Sequence, residues 1–434
     1  MNAAALSIFC CLVAMVGISS PRWGAVAVLL GAICVTRGQM IEIGPANLTI
    51  PRLLVLAGLL RIMLRGEGLA GGVRPLDWIV VLWSLVMLGT SIMHTPDAWV
   101  FRSGAVLLET GSYFLFRVFL RNEDDVRFVL KATCVVMLPV ALLMLLEKQT
   151  AYNVFGLFGG VEEFSAVRNG YVRASGPFVH PILAGTVGAA CFAIGIPLWR
   201  TNRLVSVCGL ASGALIVYAS ASSGPILMVF ASVAAYLVWH LRHHMRWILL
   251  GVAASIGFLS LVMNDPVYFL VARIDISGGS TGYFRAQLIR SSLEHISEWW
   301  LAGTDHTRHW MPSGIGANDY HTDITNHLLW MGVLGGLPLL FAFLAVLARS
   351  FRDVGNAITV DSSELRHSHF LVWSLGAILF GFFVTFWSIT LFDQSVVFFW
   401  LVVASIQCVI QVPCVRADTA QLNWPNLSER GASL

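Results

Sequence analysis

The fold class of this chain can be worked out from residues 324–347, ITNHLLWMGVLGGLPLLFAFLAVL. No Asp, Glu, Lys or Arg interrupts the stretch, which lies between Asp323 and Arg349. A helix of this length spans the ~30 Å hydrocarbon core of a bilayer, whereas a spanning β-strand would be shorter and would alternate in polarity. The stretch therefore predicts a transmembrane helix.

Comparable apolar runs fill most of the sequence. Hydrophobic residues make up 57% of the 434 residues and charged residues 12%, and the mean hydropathy is +0.76. Soluble domains carry roughly a quarter charged residues, so this chain has too little polar surface for one. We expect an all-α, polytopic membrane helix bundle of about 12 transmembrane helices, forming a single integral membrane domain over residues 1–434. The candidate spans are residues 4–20, 22–36, 50–64, 77–93, 103–120, 126–146, 177–198, 203–220, 223–239, 247–264, 324–347, 367–389 and 391–410.

The N-terminal topology is open. Met1 to Ser20 lacks the charged n-region of a signal peptide and another apolar run follows it, so we interpret it as a retained first helix. The first two runs are short, and they form either a helical hairpin or one span plus a re-entrant piece.

The positions of Arg and Lys in short loops predict the orientation. Basic clusters alternate onto one side, which we assign to the cytoplasm: residues 117–131, 200–203, 240–246 and 349–352. We expect a multi-pass protein of the bacterial inner (cytoplasmic) membrane whose C-terminal tail, residues 415–434, is cytoplasmic. Residues 147–176 (the smaller loop) and 265–323 (the larger loop) then face the periplasm, and long loops of this kind are usually functional or disordered. Their aromatic content favours order.

The eight cysteines show no CxxC or Cys/His ligand spacing and lie within or beside apolar runs: Cys10, Cys11, Cys34, Cys134, Cys191, Cys208, Cys408 and Cys414. We interpret them as small core residues. The sequence predicts no metal site and no cofactor.

An amphipathic helix is expected in the larger loop, at residues 281–300. The apolar arc consists of Phe284, Leu288, Ile289, Leu293, Ile296, Trp299 and Trp300, and the polar arc of Gln287, Arg290, Ser291, Glu294 and Glu298. Arg285 falls in the middle of the apolar arc. Its guanidinium either snorkels to the lipid headgroups or points into the bundle at an anionic ligand.

Arginines are frequent in the two loops, against the positive-inside tendency. They are Arg168, Arg173, Arg273, Arg285, Arg290 and Arg308. Guanidinium groups grip phosphate oxygens bidentately, so the enrichment fits an anionic ligand. The chain has 25 Arg against 2 Lys, however, and a GC-rich genome would produce the same bias.

Several polar residues lie where the loops enter the membrane. His180 and Pro181 are at the mouth of one span, where His180 is either a functional group or an ordinary interfacial residue. His321, Asp323, Asn326 and His327 lie at the start of another. They could act in metal binding, general base catalysis or helix capping, and a base is more plausible than a metal site because no third strong ligand stands out. The stretch ASASSGP, residues 219–225, is interpreted as a packed turn.

Three blocks of sequence carry a family resemblance. They are RASGPFVHPILAGTVGA at 173–189, FRAQLIRSSLEHISEWWLAGT at 284–304 and TNHLLWMGVLGGLP at 325–338. The order of these three blocks and their shared placement at the loops are similar to those of the O-antigen ligase and O-antigen/exopolysaccharide polymerase superfamily, which the chain therefore resembles. The resemblance implies a GT-C-like helical fold and metal-independent glycosyl transfer in the outer half of the membrane.

The resemblance also implies roles for individual residues. Arg173 and Arg285 match the family's diphosphate-binding arginines, and Arg168 and Arg290 are further candidates. The family's His-Asn pair is not matched, because Thr325 precedes Asn326 and His327 follows it. His327 is therefore the first candidate for the base and His321 the second. Asp323 is a candidate partner or substitute.

The expected function is transfer of a glycan from an undecaprenyl-diphosphate-linked oligosaccharide to a glycan or lipid acceptor. The enzyme would be an exopolysaccharide or O-antigen polymerase, a ligase or a protein O-oligosaccharyltransferase, working in membrane lipid beside polysaccharide chain-length or export proteins. No nucleic acid is expected. The alternative is a transporter of a small anionic solute. A transporter should hold ionisable groups at mid-membrane, whereas Asp77, Glu109 and Asp393 are expected near span ends.

Overall fold

The computed structural model describes residues 1–270, 282–312, 319–359 and 366–410. The loop arginine Arg273, Cys414 and the predicted tail 415–434 lie outside the described residues. Helices make up 74% of the structure. They are α1 Ala3–Ile18, α2 Pro21–Cys34, α3 Ile50–Arg65, α4 Pro75–Ser91, α5 Pro96–Phe119, α6 Glu123–Thr150, α7 Pro181–Leu198, α8 Arg203–Ser220, α9 Ser223–Leu237, α10 Met245–Val262, α11 Gly282–Glu294, α12 Ile296–Trp299, α13 His327–Thr359, α14 Arg366–Thr385 and α15 Ser395–Val409.

The described part of the chain contains six helical segments long and apolar enough to cross a bilayer. They are Glu123–Thr150, Pro181–Leu198, Arg203–Ser220, Ser223–Val262, His327–Thr359 and Ser368–Thr385. These helices make the chain a multi-pass, all-α membrane protein, as the apolar runs predicted. Four shorter apolar helices accompany them: α1, α2, α4 and α15. The predicted count of about twelve spans stays a prediction.

Two small antiparallel hairpins complete the secondary structure. In the first, β1 (Met40–Ile43) pairs with β2 (Ala46–Thr49), and in the second, β3 (Val167–Arg168) pairs with β4 (Tyr171–Val172). The all-α prediction did not include either hairpin.

The core of the bundle surrounds α15, in which every residue from Ser395 to Val409 is buried. Helices α7 and α8 pack closely against each other. A Cβ on Gly188 would lie 2.5 Å from Ile216 Cγ2, and a Cβ on Gly213 would lie 2.6 Å from the Gly188 carbonyl oxygen. Small residues let transmembrane helix backbones approach closely, which explains this pairing.

A buried ion pair joins α4 to α5. Arg117 Nε donates to Asp77 Oδ1 at 3.0 Å, and Tyr113 donates to the same oxygen. Glu109 lies near the middle of α5, because α5 begins at Pro96, and it accepts a hydrogen bond from Trp400 Nε1 at 3.0 Å. The expected position of Glu109 near a span end stays a prediction, and both acids are paired within the core.

The larger loop is attached to α13 where that helix breaks. Gly335 and Gly336 are non-helical, with φ at −151° and 70°. The Leu337 amide donates to the Trp300 carbonyl at 2.7 Å, and the Thr304 amide donates to the Val333 carbonyl at 3.0 Å. The second and third sequence blocks therefore contact each other, and this contact fixes α11 and α12 over the bundle.

Candidate functional site: a cationic cavity at one end of the bundle

A cavity of about 610 Å³ opens at one end of the bundle. The end of α6, the start of α7, the end of α8 and the start of α9 all reach it, as do α11 and the residues just before α13. The smaller and larger loops therefore meet at the same end. Its lining includes four cationic side chains, Lys148, Arg168, Arg173 and Arg285, and one carboxylate, Asp323.

The β3–β4 hairpin carries Arg168 to the cavity. Asn169 and Gly170, with φ of 51° and 77°, form its two-residue turn, and positive φ at both positions is the geometry that Asn-Gly favours. Arg168 and Tyr171 flank the turn, pair with each other and both line the cavity. The Asn-Gly pair in the sequence could have predicted this hairpin.

Glu147 orders the backbone beside the hairpin. The side chain is buried, and its carboxylate accepts hydrogen bonds from the Ser175 amide at 2.8 Å, the Gly176 amide at 2.9 Å and the Ser165 hydroxyl at 2.7 Å. The Ala174 amide donates to the Ala219 carbonyl at 3.0 Å. Residues 174–176, which follow Arg173, are held in this way, and the Arg173 amide itself donates to the Ala166 carbonyl at 3.0 Å, so the arginine enters the cavity from a fixed backbone.

Arg173 and Arg285 supply the most constrained positive charge. Arg173 Nη2 donates to Ser222 Oγ at 2.8 Å. Arg285 is 8% exposed and lines the cavity, so it does not snorkel to headgroups. Within the described residues, the Nε atoms of both arginines are buried without a hydrogen-bond partner. Burying an unpaired hydrogen-bond donor costs free energy, and an anionic ligand would supply the missing acceptor.

The buried face of α11 differs from the predicted one. Its buried residues are Gly282, Arg285, Ala286, Leu288, Ser291 and Ser292. Leu293 and Ile296, assigned to the apolar arc, are exposed. The helix therefore buries a face centred on Arg285 and Leu288, because it packs over a polar cavity and not on a uniformly apolar surface.

Burial and neighbouring charges shift the pKa values of the ionisable groups in the cavity. Desolvation lowers the pKa of Arg173, as does the charge of Arg168; desolvation likewise lowers the pKa of Arg285. Both stay protonated, since arginine starts far above neutrality. Desolvation also raises the pKa of Asp323, while Arg285 opposes the rise. A raised pKa makes a carboxylate a stronger base.

His180 enters the cavity as a neutral ring. Desolvation, then the charges of Arg173 and Arg168, lower its pKa to about 4. Its Nδ1 accepts a hydrogen bond from the Ile182 amide at 3.2 Å and so caps α7. The proton of the neutral ring is therefore on Nε2, which can donate a hydrogen bond but cannot accept a proton.

Three cavity residues were missed by the sequence analysis. Lys148 Nζ donates to the Val172 carbonyl at 3.1 Å and lies 4.9 Å from the centre of the Tyr218 ring. Ser222 belongs to the stretch interpreted as a packed turn, yet it orients Arg173. Thr325 Oγ1 is buried with no partner in the described part of the chain. A lysine at the end of a span was the available signal for Lys148.

Other predicted site residues lie outside the cavity lining. His327 is buried, with its ring centre 4.6 Å from that of Phe386 and 5.1 Å from that of Phe343, and its Nδ1 accepts from the Leu391 amide at 3.3 Å. Asn326 is also buried, and its Oδ1 accepts from the Leu329 amide at 3.0 Å, which is helix capping.

Two further predicted site residues, His321 and Arg290, also lie away from the cavity lining. His321 is half-buried, 3.4 Å from Thr307 Oγ1, and desolvation lowers its pKa. Arg290 is exposed and pairs with Glu294 at 3.1 Å. The structure thus brings together Arg168, Arg173, His180, Arg285 and Asp323, and it leaves His321, Asn326, His327 and Arg290 outside.

Comparison with protein-family models and with curated proteins gives no match. The chemistry of the site therefore has to be argued from its geometry. A cationic cavity with one carboxylate can bind a multiply charged anion and can also accept a proton from a neighbouring hydroxyl group.

Proposed function

We propose that this protein is a glycosyltransferase that moves a glycan from an undecaprenyl-diphosphate carrier to an acceptor hydroxyl group, on the periplasmic face of the inner membrane. The observation that carries the proposal is the convergence of Arg168, Arg173, Arg285 and Lys148 on one cavity against a single carboxylate. A diphosphate is the anion that best matches this much positive charge in a membrane-embedded site.

The arginines would stabilise the leaving group. As the bond between the anomeric carbon and the phosphate oxygen breaks, negative charge grows on the diphosphate. Arg173 and Arg285 are held in place before the reaction, and such fixed donors stabilise developing charge without reorganisation. His180 Nε2 would donate a further hydrogen bond. The guanidinium groups supply the charge that a metal ion supplies elsewhere, so we propose a metal-independent reaction.

Asp323 is the best-placed base. In the proposed step, the acceptor oxygen bonds to the anomeric carbon, the hydroxyl proton passes to the Asp323 carboxylate and undecaprenyl diphosphate leaves. Asp323 lines the cavity with Arg285, and its raised pKa favours proton acceptance. His327, the first candidate from the sequence, is packed among phenylalanine rings outside the lining. Its predicted role stays a prediction that the geometry does not favour.

The apolar part of the lining suits the lipid carrier. Ile182, Val217, Ile226 and Ile389 face the same cavity as the arginines. An amphiphile with a diphosphate head and an isoprenoid tail would satisfy both kinds of surface, whereas a small anionic solute would leave the apolar part in contact with water. This favours the transferase over the transporter.

The test compares a deletion strain with strains that carry single variants. Arg285→Ala should abolish glycan transfer, with a loss of about a hundredfold or more for a leaving-group donor. Arg290→Ala is the matched control, because it lies on the same helix but is exposed and outside the cavity. It should retain normal transfer.

The lipid-linked and surface glycans of the strains give the readout. Single repeat units accumulating on the carrier indicate a polymerase, and long chains that fail to reach lipid or protein acceptors indicate a ligase or an oligosaccharyltransferase. Normal glycans in the deletion strain, or in Arg285→Ala present at wild-type levels, would rule the proposal out and favour transport.

A further inference from the structure

Three potential metal ligands meet at the corner between α11 and α12. They are His295 and Glu298, three residues apart, and His309 in the turn that follows. One ligand atom from each residue, a ring nitrogen from each histidine and a carboxylate oxygen from Glu298, lies within 4.8 Å of the other two. The sequence predicted no metal site, and of these three residues only Glu298 was named, on the polar arc of the expected helix. Within the described chain, this is the one group of three or more such residues that is close enough to share an ion.

The hydrogen bonds around His295 prepare it as a ligand. Its Nδ1 lies 2.8 Å from the Ser291 carbonyl oxygen, which can only accept, so Nδ1 carries the proton. In the neutral ring, the lone pair is then on Nε2. Metal-binding histidines usually donate their second N–H to a carbonyl or carboxylate in this way.

Glu298 is held as a ligand by its neighbours. Its Oε2 accepts from Trp310 Nε1 at 2.9 Å, and His309 Nε2 lies 2.9 Å from the same oxygen and 3.1 Å from Oε1. These contacts hold the carboxylate at the corner, with its oxygens directed toward His309.

We propose that His295, Glu298 and His309 bind a divalent transition-metal ion, with Zn²⁺ as the best match. Two imidazoles and one carboxylate are a common Zn²⁺ ligand set, with water in the fourth position. Ligands at about 2.1 Å in tetrahedral geometry lie about 3.4 Å apart, so small side-chain rotations from the present spacing suffice. The exposure of His309 and Glu298 leaves an open path for the ion.

The proposed ion would fasten a corner of the larger loop. Arg285 is ten residues before His295, or about 15 Å along a continuous helix, so the metal would not contact the cavity. It would instead tie α11 and α12 to the turn that carries Trp310. The inference is therefore independent of the proposed glycosyl transfer.

Zinc binding can be measured on the full-length protein, purified in detergent with a tag that lacks histidine and stripped with a chelator. We expect wild type to bind one more equivalent of Zn²⁺ than the double variant His295→Ala/His309→Ala, by elemental analysis after gel filtration. Counting the difference removes any contribution from the cysteines. Zn²⁺ should also raise the Tm of wild type but not of the double variant.

Two single variants sharpen the test. Glu298→Gln keeps an oxygen to accept from Trp310 but removes the charge, and it should weaken Zn²⁺ binding at least tenfold. His306→Ala changes a neighbouring exposed histidine outside the cluster and should bind like wild type. The proposal would be overturned if wild type, folded Glu298→Gln and the folded double variant bound the same number of Zn²⁺ ions at both saturating and limiting Zn²⁺. The cluster would then be an ordinary His–Glu ion pair.

Discussion

Asp323 is the side chain on which the proposed chemistry most directly depends. Asp323→Asn should reduce transfer at least a hundredfold in membrane vesicles supplied with lipid-linked saccharide, because the amide cannot accept the proton. Since desolvation raises the Asp323 pKa above 3.8, wild-type activity should fall as the pH drops through that raised value. Asp323→Glu should retain part of the rate. Undiminished turnover by folded Asp323→Asn would exclude the carboxylate as the base.

His327 should behave as a packing residue. Its ring fills a space among Phe343 and Phe386, and removing a buried ring of this size costs about 2–5 kcal/mol. We therefore expect His327→Ala to lower the Tm and the amount of protein in the membrane, while transfer per folded molecule changes only a few-fold. Wild-type stability combined with complete loss of transfer would restore His327 as a candidate base.

At the next level of organisation, the contact between the larger loop and the break in α13 positions Arg285. Gly336 has a φ of 70°, and a Cβ there would lie 2.5 Å from the Leu301 carbonyl carbon. Gly336→Ala should detach the loop, lower the Tm and expose residues 282–312 to protease. Gly355→Ala, in the same helix with no atom within 4 Å of its added Cβ, is the control and should do neither. Equal protease resistance of the two variants would contradict the docking.

For the whole molecule, the convergence of both loops at one end of the bundle predicts a common side of the membrane. In a background where Cys10 and Cys11 are replaced, cysteines at Tyr171 and Leu293 should react with an impermeant maleimide from the periplasm. A cysteine at Thr201, at the other end of α7, should react only after permeabilisation. This topology would be contradicted if the cysteine in either loop failed to react in intact cells, or if position 201 were labelled there.

The helical membrane architecture could be predicted from the sequence because it depends on local composition. In lipid, apolar runs such as 324–347 satisfy their backbone hydrogen bonds by forming helices. Arg173 and Arg285 stood out because positive charge is not expected in loops that are predicted to face the periplasm. The Asn169-Gly170 turn also depends on local sequence, and this dipeptide could have been used to predict the β3–β4 hairpin.

Which side chains meet was decided by the tertiary structure alone. Lys148, Arg168 and Arg173 come from the smaller loop and Arg285 comes from the larger loop. They share a cavity because Glu147 fixes one loop and the break in α13 fixes the other. Tertiary packing also placed His327 beside Phe343 and Phe386 and oriented α11 so that Arg285 faces inward. The periodicity of a segment does not show which side chains meet, because these contacts arise from packing between segments far apart in sequence. The spans could be predicted because each arises from the preference of one segment for lipid over water.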